Sequence, residues 1–140
     1  MALQQNTAGK IGSIPVFLMP VSAGFPSPAD DYIDKLLDLN EYLVRRPAAT
    51  VYFRMSGNSM AAMGILDGDI LIVDRAESAQ NGSVVLAAIN GEFLCRILDR
   101  DRRQLLTNDE RHPALQITDD MDLVIEGVVM HSIRRYVRSR

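Results

Sequence analysis

The chain has 140 residues and suits one domain, large enough to bury about two thirds of its unfolded surface. Its 47% hydrophobic and 24% charged residues are ordinary for a soluble globular protein, and no apolar run approaches the roughly 20 residues that span a bilayer. A net charge of −3 argues against binding nucleic acid through a bulk positive field, and a single cysteine excludes an internal disulfide.

Residues 1–7 lack the basic-then-apolar layout of a secretory signal, so a cytoplasmic protein is expected. Residues 1–30 hold Gly9, Gly12, Gly24, Pro15, Pro20, Pro26 and Pro28 with few periodic apolar positions, which predicts an extended or mobile arm. Residues 14–19 are nevertheless apolar, so part of the arm is expected to dock. Ser27-Pro28-Ala29-Asp30-Asp31 supplies helix-start residues, and Tyr32, Ile33, Leu36, Leu37, Leu39, Tyr42 and Leu43 recur at mostly helical spacing. One or two short helices are predicted between residues 29 and 45, stopped by Pro47.

Beyond Pro47 the period turns to two, and strands are predicted at 50–55 and 69–74. Asn90-Gly91 between apolar runs at 83–89 and 92–98 predicts a hairpin with a type I′ turn. Short strands are expected at 104–106 and 115–117, and a last one over 123–137, broken near Gly127. The run Asp99-Arg100-Asp101-Arg102-Arg103 is read as a solvated hairpin tip. Many short strands with Gly, Asn and Asp turns define a mostly β domain with a short helical segment.

One stretch carries chemistry. Met55-Ser56-Gly57-Asn58-Ser59-Met60 ends a strand and is followed by Gly64-Ile65-Leu66-Asp67-Gly68-Asp69. A small, turn-prone segment at a strand edge can hold a hydroxyl out of the backbone plane, and such a hydroxyl becomes a nucleophile when a base stands beside it. Taken alone, Ser59 reads first as a turn serine that caps a loop. Further motifs stand in register with it: Gly24-Phe25-Pro26-Ser27-Pro28-Ala29-Asp30-Asp31-Tyr32, Asp38-Leu39-Asn40, Asp67-Gly68-Asp69-Ile70-Leu71-Ile72-Val73-Asp74 and Asn90-Gly91-Glu92-Phe93. On these motifs the chain from Phe17 onward resembles the LexA/UmuD family of self-cleaving serine–lysine peptidases.

The resemblance implies a compact LexA-type β domain, a homodimer, and Ser59 as nucleophile. It implies an arm, 1–23, cut at the bond between Ala23 and Gly24, and a peptidase-type domain, 24–140. It also implies a part in SOS mutagenesis, with a RecA–single-stranded DNA filament as trigger and a Y-family translesion polymerase as partner of the processed form. No cofactor, metal or membrane is implied. A LexA-type repressor is disfavoured, because the 23 residues before the cut are too few for a helix-turn-helix domain.

The chain departs from the family at the base, which there is a lysine on the strand after the Asn-Gly hairpin. Arg96 stands at that position, and the two lysines, Lys10 in the arm and Lys35 in the predicted helix, are not obvious substitutes. Lowering a lysine pKa from about 10.4 towards 7 costs roughly 4–5 kcal/mol, whereas neutralising an arginine at pH 7 costs roughly 8 kcal/mol or more. Arg96 is therefore expected to donate to Ser59 without taking its proton. Two readings follow: an accessory protein whose ancestral self-cleavage is impaired, or a non-enzymatic, permanently full-length binding module for the polymerase or RecA. Pairing with an active relative would still allow cutting in trans, since Ala23-Gly24 is intact.

Other residues invite plainer readings. Strand alternation puts Cys95 on the face opposite Arg96, with Phe93 and Ile97, and Cys95 is read as a core cysteine. His112 and His131 have no partners at metal-ligand spacing, and Asp67 and Asp69 bracket Gly68 as turn residues. Arg134-Arg135-Tyr136-Val137-Arg138-Ser139-Arg140 is read as a solvated basic end.

Overall fold

The computed structural model describes residues 12–17, 21, 23–24 and 33–138, in two units, 1–44 and 45–140. In the first unit, β1 (Ser13–Phe17) pairs antiparallel with β2 (Ile33–Asp38), Ser13 facing Asp38 and Val16 facing Lys35. The arm is thus extended over β1, and its apolar stretch docks on residues expected to be helical. Residues 33–38 form a strand because β1 offers a pairing edge, while a short isolated helix repays its costly nucleus poorly. The helix that does form is a remnant, α1 (Leu39–Leu43). Asp38 caps it, its carboxylate accepting from the Asn40 N–H at 2.9 Å. The helix-start residues foreseen at 27–31 lie outside the described residues.

In the second unit, seven strands form one antiparallel sheet in the order β3-β4-β9-β5-β6-β7-β8. They are β3 (Thr50–Arg54), β4 (Ile70–Asp74), β5 (Val84–Ile89), β6 (Glu92–Asp99), β7 (Gln104–Leu106), β8 (Leu115–Gln116) and β9 (Leu123–Ile133). Asn90 and Gly91 between β5 and β6 both have positive φ, 51° and 84°, as a type I′ turn requires. β5 reads as an unbroken apolar run because both its faces are covered. Leu86 joins a cluster with Met55, Met60, Ile65, Leu71, Val73 and Cys95, while Val85 and Ala87 join Leu98 and Leu105.

The break expected near Gly127 is a pair of register shifts in β9, opposite Leu86/Ala87 and opposite Ile72/Val73. The strand ends at Ile133, short of 137. Between the shifts, Gly127 lets β9 and β4 approach closely: a Cβ there would stand 2.7 Å from Val73 Cγ1 and 2.8 Å from the Asp74 carbonyl oxygen. The buried Asp74 carboxylate accepts from the Ala76 N–H at 2.8 Å and from Arg46 Nη1 at 2.6 Å. Despite the opposing effect of burial, these donors hold it below the usual carboxylate range.

Candidate functional site

The Ser59 loop leaves β3 at Met55, which is tied to the returning chain on both sides. Met55 N–H donates to the Asp69 carbonyl at 2.7 Å, and Gly68 N–H donates to the Met55 carbonyl at 2.8 Å. Gly57 has φ 90°, a conformation that suits glycine. Its N–H donates to Asp67 Oδ1 at 2.7 Å, while Asp67 N–H donates back to Asn58 Oδ1 at 3.1 Å. Ser59 follows on the clamped segment. Met60 beside it is fully buried in the core cluster and pins the loop from below. Ala61–Met63 makes a 3₁₀ turn that closes on Gly64, φ 80°.

A second anchor lies under the loop. Asp69 is 1% exposed and accepts from the Leu66 N–H at 2.9 Å. Arg134 grips its two oxygens, Nε to Oδ1 at 2.9 Å and Nη2 to Oδ2 at 2.7 Å, and Nη2 also donates to the Gly64 carbonyl. The Arg134 guanidinium beside it holds the Asp69 carboxyl below the usual carboxylate range, even though burial pushes the other way. Arg134 is therefore no solvated end residue; it closes the loop from a position 65 residues away. A buried acid needs a cation, and Asp69 within the run Asp67-Gly68-Asp69 was the signal available for one.

Arg96 approaches from β6. Its guanidinium Nη1 donates to Ser59 Oγ at 3.1 Å and to the Cys95 carbonyl at 2.8 Å. Alternation along β6 predicted opposite faces for Cys95 and Arg96, yet both line one cleft of about 360 Å³ with Phe53, Ser56, Ser59 and Leu71. β7 pairs only with Ile97–Asp99, so among the described residues no strand covers the edge at Arg96, and its long side chain folds back over the backbone of its own strand. Cys95 is buried in the core cluster, and burial pushes its thiol up to about 11 against the opposing charge of Arg96. Phe93 is 56% exposed at the cleft and packs on Phe53 with ring centroids 5.5 Å apart.

Ala23 and Gly24 are exposed residues of the first unit. His112 Nδ1 stands 3.4 Å from Asp109, and His131 sits in β9 facing Ile72. No helix among the described residues is long and apolar enough to cross a membrane.

Ser59 thus stands on a clamped turn beside a cationic side chain of the hairpin strand. The Peptidase S24-like family model matches residues 15–130, and the chain belongs to this family, as a UmuD-like member of its LexA/UmuD group. It is 45% identical to Protein MucA of Salmonella typhimurium over 132 residues, covering 93% of this chain and 90% of MucA. It is 45% identical to Protein ImpA of Escherichia coli over 121 residues, 86% of this chain and 83% of ImpA. Protein SamA of Salmonella typhimurium is 43% identical over 122 residues, 86% of this chain and 85% of SamA.

Proposed function

We propose that this chain is a UmuD-like accessory protein of SOS mutagenesis and translesion synthesis whose self-cleavage is impaired at the base. In this reading Ser59 is the nucleophile, the bond between Ala23 and Gly24 is the target, and the chain divides into an arm, 1–23, and a peptidase-type domain, 24–140. A homodimer, a RecA–single-stranded DNA filament and a Y-family polymerase complete the setting in the cytoplasm.

The observation that carries the reading is the 3.1 Å hydrogen bond from Arg96 Nη1 to Ser59 Oγ. Attack on a peptide carbonyl needs the serine proton removed and an oxygen lone pair free. A guanidinium only donates, so it occupies a lone pair and leaves the proton in place. A positioned general base typically contributes about 10²–10⁴-fold, and that contribution is what the exchange removes. The same geometry supports the second reading, a permanently full-length binding module, which is what an uncut chain would be. Cutting in trans by an active relative would convert one into the other.

The test follows the mass of the full chain at alkaline pH and with RecA filaments and nucleotide. The unaltered chain is expected to stay whole, and Arg96→Lys is expected to yield a fragment beginning at Gly24. Cutting by the unaltered chain would overturn the impairment, and an inert Arg96→Lys would overturn the role given to position 96.

A further inference from the structure

Arg46, Arg75, Arg103, Arg111 and Arg134 each face a carboxylate within 3.1 Å. Arg54 and Arg96 form no such pair among the described residues, and both line the Ser59 cleft. Among the described residues, Arg54 donates only to the Gly68 carbonyl at 3.3 Å. Arg96 is half-buried, and both its hydrogen bonds leave from Nη1. Among the described residues, its Nε and Nη2 therefore have no acceptor. A partly desolvated cation with an idle planar fork is half of an ion pair.

We propose that Arg96 makes this cleft a receptor for a peptide α-carboxylate whose last residues are small or apolar. A carboxylate matches a guanidinium fork with two parallel hydrogen bonds. Phe53, Phe93, Leu71 and Leu86 line the cleft beside Arg54 and Ser56, and these four apolar walls suit an apolar chain end. At about 360 Å³ the space is at the small end of ligand sites, fit for a chain terminus. No bond is made or broken; the site holds an end where its relatives would act on a peptide bond.

Both this receptor and the proposed function need Arg96 as a charged donor, but they fail separately. Self-cleavage by the unaltered chain would sink the proposed function, whereas an uncut chain without carboxylate preference would sink the receptor alone. The probe is a dye-labelled peptide of residues 13–23 with a free carboxylate, titrated by anisotropy into the full chain beside the same peptide as its C-terminal amide. The free acid is expected to bind at least about tenfold tighter, the scale of charge-assisted hydrogen bonds. Arg96→Gln should reduce the acid to the level of the amide. Should that variant fail to fold, the Arg96 Nε–H resonance of the unaltered chain is expected to shift with the acid and stay still with the amide. Equal affinities, no binding, or equal displacement by inorganic phosphate at matched concentration (an adventitious ion only) would each overturn the proposal.

Discussion

Gly127→Ala offers a direct test of how β9 holds the sheet together. The added methyl would stand 2.7 Å from Val73 Cγ1, 2.8 Å from the Asp74 carbonyl oxygen and 3.1 Å from its carbon. None of the three can yield cheaply. Val73 is fully buried and its branched side chain has few rotamers, while the Asp74 backbone belongs to a strand paired on both sides. The relief left is for β9 to withdraw from β4, which opens the pairs Val73–Val129 and Asp74–Val128. Overpacking of this kind costs about 1–3 kcal/mol, offset by up to about 1 kcal/mol because alanine has less unfolded-state freedom to lose. A net loss of about 1–2 kcal/mol corresponds to a Tm lower by about 3–8 °C for a chain of this size. Thermal unfolding followed by circular dichroism measures it, with Gly24→Ala as the control, since a Cβ there meets nothing within 4 Å. A Gly127→Ala chain that melts at or above the unaltered temperature would refute the close-approach account.

Three further outcomes are expected. In an Arg96→Lys background, Ser59→Ala should abolish any fragment beginning at Gly24 while leaving Tm within a few degrees; persistent cutting by mass spectrometry would remove Ser59 from its role. Asp69 and Asp74 have folded pKa values below their unfolded values, so the stability they contribute is present above about pH 4 and is lost as pH falls through the folded values. Urea midpoints should therefore drop between pH 5 and about 3, and less steeply in Asp69→Asn; identical slopes would contradict the assignment. Cys95, buried and with its thiol pushed up to about 11, should resist an aromatic disulfide reagent at pH 8 until urea is added, and full labelling of the native chain within minutes would refute its burial.

The local signals that served best in the sequence were those whose physics is local. Asn90-Gly91 names its turn because both residues tolerate positive φ, and strands β3 to β9 follow from alternation and turn residues within a few positions of each limit. Residues 33–38 misled because Ile-Asp-Lys-Leu-Leu-Asp fits either period, and the choice belongs to β1, some twenty residues away. Arg134 was illegible for a similar reason: a basic residue near a basic end looks solvated until the fold sets Asp69 beneath it. The pairing of Ser59 with Arg96 came from the family pattern. Alternation alone would have kept Arg96 and Cys95 apart, and it did not anticipate a side chain folding around an uncovered strand edge.

The supports of Ser59 do not depend on its chemistry. Asp67 and Asn58 clamp the turn, Met60 plugs the core, and the Asp69–Arg134 pair closes the underside, none of them touching a proton that a base would move. Such a loop stays shaped whether position 96 carries a lysine or an arginine. Under the proposed loss of the base, that independence would let the chain keep its fold, and it makes a physical demand. The arginine must find a use for a charge that the surrounding cleft leaves unneutralised, because a half-buried cation without a counter-ion works against folding. A carboxylate brought in from a chain end would meet that demand beside Ser59.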